Sequence, residues 1–408
     1  MINEDTQTTQ CDVVVSGDDI ESIIIPDKVE YSVPATPFVE SISPRWGSGA
    51  GGTEITFTGQ NFNPEASLYT IVIDEAPCTV TAATTTSVTC ITGPKTCDCT
   101  NPNPEISIHM AQPSSSSGAS SGSGTEPYGF AALQGNDFRY GSLWSEDSTW
   151  GGLFAPVEGE SVSVPAGRTL IFDIDHSPIL NLVILDGGSI IFPSDTDPNH
   201  ERTFDAHYIF LNNNATMEIG TEANPYSSKM TLTLHGSKYE PYIPKYGNKC
   251  IGVRFSTLDI HGMKRTPTWT TLETTGEVGA TTITLSEDVD WQVGEEIVIA
   301  STDLGIEDNE IPGEGDNSEQ RTIANIVGRT ITLNTPLLYE HYANPNPEVY
   351  GDCSINLKAE VGLLTRNVKI QGDPTSLDEQ YGATVMMHSP GDETAIGRIE
   401  YAEFHRVG

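Results

Sequence analysis

Pairs of acidic and histidine side chains stand two residues apart in three short, β-prone segments of the chain. The pairs are Asp173 with Asp175, Asp205 with His207, and Asp259 with His261. Residues two apart on a β-strand point to the same face, and neighbouring strands lie about 5 Å apart. Stacked strands could therefore bring these side chains together as a paired-carboxylate or metal site. The alternative is that they face solvent or hold corners through hydrogen bonds to the backbone.

An acidic stretch at residues 303–319, DLGIEDNEIPGEGDNSE, could bind calcium. It contains seven carboxylates, and calcium takes about six to eight oxygen ligands from flexible loops. The residues that we assign to this calcium site are Asp303, Glu307, Asp308, Glu310 and Asp316. No EF-hand or calcium-binding nonapeptide spacing is present, so a solvated surface loop is the alternative.

Conventional catalytic signals are missing from the sequence. It holds no Gly-x-Ser-x-Gly, Walker A or dinucleotide-binding fingerprint. His341, His388 and His405 are scattered, and none stands at metal-ligand spacing from another histidine. We therefore assign no catalytic residue, and no cofactor other than the calcium considered above.

Seven cysteines indicate disulfide chemistry rather than a metal site. They are Cys11, Cys78, Cys90, Cys97, Cys99, Cys250 and Cys353. No pair is spaced as in a zinc ribbon, and disulfides point to an oxidising compartment. An odd number leaves one cysteine unpaired or paired outside this chain, and Cys250 with Cys353 is one pairing that we consider. Asn214 begins the sequon Asn-Ala-Thr, which is usable for glycosylation if the chain is secreted; a chance match is the alternative.

The chain is strongly acidic. Its 57 Asp and Glu residues against 20 Lys and Arg residues give a formal net charge of −37. Such a surface repels nucleic acid, anionic lipid headgroups and polyanionic sugars, and it tolerates divalent cations or cationic partners. Solubility alone is the other reason for so much charge. No apolar run approaches the roughly 20 residues needed to span a bilayer, and the N-terminal MINEDTQTTQ is too polar for a signal peptide.

Short β-prone runs separated by Gly, Pro, Asp and Asn fill residues 162–236 and would position the paired side chains. The runs cover residues 169–174, 180–185, 189–192, 207–211, 216–219 and 230–234. No apolar stripe with a period of about 3.6 residues is long enough for a helix. Frequent short strands with brief polar corners favour a parallel β-helix, in which each strand pairs with the turn below. An antiparallel sandwich is the alternative, because alternation alone does not distinguish the two.

Residues 37–130 carry an ordered series of strings: SPRWG, GGTEITFTGQNF, PCTV and SVTC. The series resembles the IPT/TIG family of immunoglobulin-like domains. This resemblance implies a β-sandwich that serves as a spacer or adhesion module, with Cys78 paired to Cys90. The Ser/Gly-rich loop PSSSSGASSGSG falls within the same unit.

Residues 138–265 carry a second series, which includes LWSEDSTWGG, ILDGGSIIF, MEIGTEANPY, KMTLTLHG and LDIHG. It resembles the G8 domain, which is named for its glycines. Trp144 and Trp150 are expected to cover the open end of this domain's core. We expect residues 266–408 to continue as β structure and to start a right-handed parallel β-helix. Residues 1–36 are expected to be the end of a preceding IPT/TIG-like domain and a linker. The predicted fold class is thus all-β.

An IPT/TIG domain followed by a G8 domain and β-helix resembles the fibrocystin family, whose members are large ciliary or cell-surface proteins. The resemblance implies an extracellular or cell-surface location and a structural, adhesion or receptor-like role. It also implies that the partners are other extracellular proteins or neighbouring domains of a longer chain, from which we expect this segment to be cut. We expect no nucleic-acid partner and no membrane span in this segment.

A polysaccharide depolymerase is the alternative function. The cell-surface hyaluronidases share the G8 and β-helix part of the resemblance, although a shared fold is weak support for an activity. A hyaluronan-type substrate is a polyanion and needs local positive charge. The basic residues that could form such a groove are Lys264, Arg265, Lys358, Arg366 and Lys369.

Overall fold

The structure is a computed structural model of the chain, and it is almost entirely β. It describes residues 8–17, 20–32, 36–95, 105–111, 129–133, 138–302, 317–344, 346, 348–350, 353–391 and 394–408. These residues form an N-terminal hairpin, a sandwich unit, a coil of parallel strands and a barrel inserted into the coil. No helix in the described ranges is long and apolar enough to cross a membrane.

The hairpin and the sandwich unit come first along the chain. Antiparallel strands β1 (Thr8–Gly17) and β2 (Ile20–Ser32) form the hairpin. The sandwich unit contains β3 (Phe38–Ser43), β4 (Trp46–Ser48), β5 (Glu54–Gln60), a 3-10 helix (Ala66–Leu68), β6 (Tyr69–Ile73), β7 (Ala76–Ala83), β8 (Ser87–Thr92), β9 (Ile106–Met110), β10 (Gly129–Phe130) and β11 (Ala132–Leu133). Eight of its strands pair in the order β10-β9-β6-β7-β8-β5-β3-β11, and all of these pairs except β11 with β3 are antiparallel.

Alternate side chains of the sandwich strands form one core. In β5, Ile55 and Phe57 are fully buried between more exposed neighbours. Val88 on β8 and Ile108 on β9 belong to the same cluster. This alternation with period two is what a half-buried strand requires, and it is the pattern that the sequence shows.

The coil follows the sandwich unit. Its first strands are β12 (Arg139–Leu143), β13 (Val162–Pro165), β14 (Thr169–Ile171), β15 (Leu180–Asp186), β16 (Ser189–Phe192), β17 (Glu201–Asn212), β18 (Thr216–Ile219), β19 (Lys229–Leu234), β20 (Cys250–Arg254) and β21 (Thr257–His261). A 3-10 helix at Asp147–Trp150 lies between β12 and β13.

Strands of the coil alternate between two sheets, and their pairing within each sheet is parallel. One sheet runs β13-β15-β17-β19, and β20 also pairs with β17; the other runs β4-β12-β14-β16-β18-β21. Leu170 lies beside Ile190, and Ile190 lies beside Met217 on the following strand. Each strand therefore pairs with the strand one turn away, as in the coil that the sequence favoured, and the antiparallel alternative is wrong for this region.

Aliphatic and aromatic side chains fill the space between the two sheets. Phe172, Phe192 and Phe204 form a cluster with ring centroids 5.1–5.3 Å apart. Trp144 is fully buried against Phe172, and Trp150 packs edge-on against Trp144. The two tryptophans thus cover the first turn of the coil, where stacked strands need an apolar cover.

The barrel begins after β21. Its strands are β22 (Trp269–Thr271), β23 (Thr282–Thr284), β24 (Glu296–Ile299), β25 (Glu319–Val327), β26 (Thr330–Leu333) and, after the separate hairpin of β27 (Glu348–Tyr350) and β28 (Cys353–Ile355), β29 (Glu360–Leu363). The antiparallel order is β22-β29-β24-β25-β26-β23. A bridge between Leu272 and Leu285 joins the two ends of this order and closes the sheet. The barrel has its own core, which includes Ile297 and Ile331.

The chain then returns to the coil. The last elements are β30 (Val368–Gly372), helix α1 (Thr375–Glu379), β31 (Thr384–His388), β32 (Ile396–Glu400) and β33 (Ala402–His405). Strands β30, β31 and β32 pair in parallel with β19, β20 and β21, and β33 pairs with β30. The stretch 266–408, which the sequence presents as one continuation, is therefore a barrel inserted between turns of the coil, followed by further turns.

Candidate functional site

A cleft on the coil gathers histidine and carboxylate side chains. We call it the histidine cleft; its volume is about 360 Å³. It is lined by Glu158, Gly159, Ile179, His207, His235, Gly236, Ser237, Glu240, Asp373, Thr375 and Glu379. No lysine or arginine belongs to this lining, so the cleft has the same negative sign as the whole chain.

His235 lies between two carboxylates at the floor of the histidine cleft. Its Nε2 is 2.7 Å from Oδ1 of Asp205, and its Nδ1 is 3.6 Å from Oδ2 of Asp373. His207 makes a similar pair, with Nδ1 3.1 Å from Oε2 of Glu240. An imidazole oriented by a carboxylate is a group that general acid–base catalysis uses. The arrangement can also bind a ligand with hydrogen-bond donors.

These side chains lie close together because the strands that carry or precede them pair in parallel register. Asp205 and His207 share one face of β17, as their spacing predicts. His235 directly follows β19, which pairs with β17, and Asp373 directly follows β30, which pairs with β19. The site therefore collects residues from successive turns of the coil that are far apart in the sequence.

Lys249 fixes the carboxylate of Asp373. The Lys249 side chain is fully buried, and its Nζ donates to Oδ1 of Asp373 at 2.8 Å and to the Gly236 carbonyl at 3.1 Å. The Thr375 hydroxyl and the Gly236 N–H also donate to Asp373. Burial alone would raise the pKa of Asp373, but these donors together hold that pKa below its ordinary value. Asp373 is consequently ionised, and its carboxylate lies at the floor of the histidine cleft.

Exposed apolar side chains lie next in sequence to residues that line the histidine cleft. Val157, Tyr239, Tyr242 and Leu377 are 59–83% exposed, and they flank the lining residues in sequence. Glu379 holds two of these segments together, because it accepts hydrogen bonds from the Ser237 hydroxyl and the Lys238 N–H.

Asp173 and Asp175 do not reach the histidine cleft. Asp173 accepts hydrogen bonds from the backbone N–H and hydroxyl of Ser145. Asp175 lies 2.9 Å from Nε2 of His200. These contacts hold neighbouring turns together, which agrees with the structural alternative for this pair.

Asp259 and His261 form a separate cluster. Nε2 of His261 is 2.7 Å from Oδ1 of Asp259, and Arg398 on β32 donates to the same carboxylate. Burial would raise the pKa of Asp259, but the bonds from Arg398 and His261 outweigh it and lower that pKa. Nδ1 of His261 also lies 3.4 Å from Glu400. The cluster ties the last turns of the coil to each other.

The predicted calcium site falls on residues 303–316, which lie outside the described residues. The assignment of Asp303, Glu307, Asp308, Glu310 and Asp316 to calcium therefore stays a prediction. Among the residues that the structure does describe, no group of three or more His, Cys, Asp or Glu side chains could hold a metal ion.

Glu319 is the acidic residue of the 303–319 stretch that the structure describes, and it is buried. It accepts hydrogen bonds from the N–H groups of Leu338 and Tyr339 and from Nε2 of His341 at 3.1 Å, and it pairs with Arg321. Burial would raise the pKa of Glu319, but these bonds together lower it. Glu319 therefore acts as a structural anchor in the barrel.

The three cysteines whose side chains the structure describes are a bonded pair and a free thiol. Cys78 and Cys90 form a disulfide across β7 and β8, with Cα atoms 5.5 Å apart. Cys250 is a free, buried thiol, so the structure does not contain the Cys250–Cys353 bond that we considered. Burial raises the pKa of Cys250 to about 11. The side chain of Cys353 lies outside the described residues, as do those of Cys11, Cys97 and Cys99.

Asn214 lies at an exposed corner between β17 and β18. It adopts a left-handed backbone with φ 64°, which asparagine tolerates well. Its neighbour Asn213 donates to Asp186 at the same corner one turn away. The Asn214 amide is therefore accessible, and its glycosylation stays a prediction.

The sandwich unit and the coil share a sheet. Strand β4 pairs with β12, with Trp46 beside Arg139 and Gly47 beside Tyr140. Arg139 then reaches along the sheet and donates to Oε2 of Glu218 at 2.6 Å. A second cleft, of about 560 Å³, opens beside this pairing, and we call it the junction cleft. The sequence showed no signal for it, because its walls come from both units.

The basic groove expected for a polyanionic substrate is largely neutralised. The ion pairs are Arg265 with Glu295 at 3.0 Å, Lys358 with Glu273 at 2.9 Å, and Lys369 with Glu403 at 2.9 Å. Three of the five candidate cations thus have carboxylate partners.

Comparison with known families matches two parts of the chain. The IPT/TIG domain family matches residues 37–125, and the G8 domain family matches residues 149–273. The first range covers the sandwich unit except β10 and β11. The second range runs from within the 3-10 helix at Asp147–Trp150 through β21 and includes β22 of the barrel.

Fibrocystin-L from mouse is 32% identical over 93% of this chain, and fibrocystin-L from human is 32% identical over 98% of it. Dog fibrocystin is 31% identical over 78% of the chain. The match covers 9%, 10% and 7% of these three relatives, so the chain spans about a tenth or less of their length.

Proposed function

Because this chain belongs to the fibrocystin family, with an IPT/TIG domain followed by a G8 domain, we propose that it is a structural, adhesion or receptor-like segment of a large cell-surface protein. The proposal includes an extracellular or cell-surface location, the surface of cilia included. Its partners are other extracellular proteins or neighbouring domains of a longer chain.

The observation that carries this proposal is the sheet shared by the sandwich unit and the coil. Backbone pairing of β4 with β12 ties the two units directly. Two units joined only by a flexible linker would move independently. A shared sheet fixes their orientation, which is what a module needs in order to hold binding surfaces at a set distance from a membrane.

A disulfide, an exposed glycosylation sequon and the negative charge of the chain support the extracellular location. A disulfide such as Cys78–Cys90 forms and persists in an oxidising compartment. Asn214 is exposed and can accept a glycan there. The large negative charge favours cationic partners over nucleic acid or anionic lipid.

The parallel pairing of the coil favours the β-helix that the resemblance implies. Strands β30, β31 and β32 each pair in parallel with the strand one turn away. We propose that these turns are the start of a right-handed parallel β-helix.

Surface labelling of cells tests the location. Antibodies raised against the folded segment should stain non-permeabilised cells of the source organism. Staining that needs permeabilisation would contradict an extracellular role. Mass spectrometry of the native protein should in addition find Cys78 and Cys90 joined, whereas two free thiols would count against the same compartment.

A depolymerase acting on hyaluronan-type chains is the second candidate, and the histidine cleft is the observation that favours it. His235 between Asp205 and Asp373 offers acid–base groups in an open cleft. The carboxylates that line the cleft would repel a polyanionic substrate. Arg265, Lys358 and Lys369 are already paired with carboxylates and offer it little positive charge. The test is release of reducing ends from hyaluronan with calcium present, with His235→Ala as the control; no release from the unaltered chain rules this function out.

Calcium-dependent adhesion is a variant of the first proposal. Asp303, Glu307, Asp308, Glu310 and Asp316 supply the carboxylate oxygens that calcium prefers. A ligand that binds the native state raises the melting temperature. A reversible rise in millimolar calcium, abolished by chelator, supports this variant, and an unchanged melting temperature contradicts it.

A further inference from the structure

The histidine cleft carries a negative charge that the surrounding residues do not balance. Four carboxylates line it and no lysine or arginine does; they belong to Glu158, Glu240, Asp373 and Glu379. Of the four, Asp373 is paired with the buried Lys249. In the part of the chain that the structure describes, the carboxylates of the other three form no ion pair with a lysine or arginine. The lining therefore keeps a surplus of negative charge, as the whole chain does with its charge of −37.

Several carboxylate oxygens in the histidine cleft are not used by the protein itself. Oε2 of Glu240 lies 3.1 Å from Nδ1 of His207. Oε2 of Glu379 accepts hydrogen bonds from the N–H of residue 238 and from the Ser237 hydroxyl, and these bonds lower the pKa of Glu379, so that it is ionised at neutral pH. Within the described ranges, Oε1 of Glu240, Oε1 of Glu379 and both oxygens of Glu158 accept no hydrogen bond. Since ionised carboxylates only accept, a ligand that fills the cleft has to supply the donors.

One wall of the histidine cleft is held in place before any ligand arrives. Nδ2 of Asn248 donates to the carbonyl groups of Ser237 and Glu240 at 2.8 and 3.1 Å. Nζ of Lys249 donates to the Gly236 carbonyl at 3.1 Å. Ligand binding therefore requires little ordering of this wall, which is typical of a preformed site.

Three segments that contribute to the lining also carry exposed apolar side chains. Val157 and Tyr239 each directly precede a lining glutamate, and Leu377 is two residues after the lining Thr375. These three side chains are 59%, 83% and 70% exposed. A protein surface can cover such side chains while it inserts one of its own into the cleft, whereas a small ligand inside the cleft leaves them in water. Their exposure therefore favours a protein partner.

We propose that the histidine cleft receives an arginine side chain of a protein partner. The proposal rests on the adhesion or receptor-like role and gives the chemistry of the partner. A guanidinium supplies five N–H donors and stays protonated, and its planar fork can engage a carboxylate through two hydrogen bonds. The cleft volume of about 360 Å³ leaves room for such a side chain. No group of His, Cys, Asp or Glu side chains among the described residues could hold a metal ion, so the cation that fits is an organic one.

Titration of the whole 408-residue chain with capped amino acids tests the proposal. The probe is N-acetyl-L-arginine amide. Its matched control is N-acetyl-L-citrulline amide, whose urea group has nearly the same shape but no charge. Ligand-observed NMR should detect the arginine probe at roughly millimolar affinity, as expected for so few atoms, and the citrulline control at least about tenfold more weakly. No binding of the arginine probe, or equal binding of the two, overturns the proposal.

Two capped tripeptides distinguish a protein partner from a small free cation. They are acetyl-Phe-Arg-Phe-amide and acetyl-Ser-Arg-Ser-amide. Apolar flanks can cover exposed side chains such as Tyr239, so the first tripeptide should bind more tightly than the second. Equal affinity of the two would overturn the assignment to a protein partner.

Glu158→Gln/Glu240→Gln is the decisive variant, because it removes two charges from the lining and keeps its shape. We expect it to fold, since neither side chain is buried, and to weaken binding of the arginine probe at least about tenfold. Glu158→Gln alone alters one exposed side chain and should weaken binding by a smaller factor, which keeps the test open if the double variant does not fold. Glu54→Gln/Glu277→Gln, at exposed positions outside the cleft, removes the same charge and should leave binding unchanged. Unaltered affinity in the folded cleft variants, or an equal loss in the control, contradicts the site.

These titrations are independent of the tests of location. Failure of the arginine probe leaves the surface staining and the Cys78–Cys90 disulfide unaffected. Absent staining together with intact probe binding contradicts the location and leaves the cleft as proposed.

Discussion

Lys249 and Asp373 form a buried ion pair between the segment before β20 and the segment after β30, with Nζ 2.8 Å from Oδ1. The barrel lies between them in the sequence, so the pair fixes the point at which the chain re-enters the coil. Removal of one partner leaves the other as an uncompensated buried charge. We predict that Lys249→Met lowers the free energy of unfolding by about 3–5 kcal/mol, measured by urea denaturation.

Two further variants separate charge from packing in this pair. Lys229→Met, at an exposed site on β19, should change the free energy of unfolding by less than about 0.5 kcal/mol. The double variant Lys249→Met/Asp373→Leu should recover much of the loss, since an apolar pair can replace a buried ion pair. A double variant no more stable than Lys249→Met would show that the loss comes from packing.

Glu319 gives the barrel a stability that depends on pH. Its pKa is lowered in the folded state, because its bonds to Leu338, Tyr339 and His341 outweigh burial. A lowered pKa stabilises the fold above the unfolded value, about 4.3 for Glu, and this stabilisation is lost as pH falls through the folded value. We predict that Glu319→Gln is less stable than the unaltered chain at pH 7 and that the difference shrinks below about pH 4.

Urea denaturation followed by tryptophan fluorescence, to which the buried Trp291 of the barrel core contributes, would follow this effect. Glu277→Gln, at an exposed position in the same unit, is the matched control and should behave like the unaltered chain. A difference for Glu319→Gln that stays constant from pH 7 to pH 3 would mean that ionisation of Glu319 plays no part.

Much of the coil could be predicted from the sequence. Residues 189–192 and 216–219 were expected as strands and are strands β16 and β18 with the same bounds. Local alternation and polar corners are enough for such assignments, since both depend on neighbours in the chain. Trp144 precedes the first turn of the coil in the sequence, and this position was enough to predict that it covers the open end of the core.

The composition of the histidine cleft could not be predicted in the same way. The spacing of Asp205 and His207 places them on one face, but their partners His235 and Glu240 depend on register between turns. Asp373 comes from beyond the barrel, and no local pattern shows that the chain returns to the same sheet.

Cys250 should be unreactive in the folded protein. It is buried, and a pKa of about 11 keeps the thiol protonated at neutral pH, whereas the thiolate is the reactive form. We predict that iodoacetamide at pH 8 leaves Cys250 unmodified in native protein and modifies it fully in guanidinium chloride. Peptide mass mapping resolves this site from the other cysteines. Rapid modification of Cys250 under native conditions would show that β20 opens readily.

Gly47 controls the junction between the sandwich unit and the coil. A Cβ at this position would lie 2.7 Å from Oγ1 of Thr53 and 2.9 Å from the Phe138 ring, both closer than side-chain atoms normally approach. Since Gly47 pairs with Tyr140 across the shared sheet, a larger side chain must displace β4 from β12. We predict that Gly47→Val costs about 1–3 kcal/mol and splits a single thermal transition into two, seen by calorimetry. Gly362→Ala is the control, because its added Cβ would be 3.4 Å from the nearest atom, an ordinary contact. One cooperative transition in Gly47→Val, at an unchanged temperature, would mean that the shared sheet does not couple the two units.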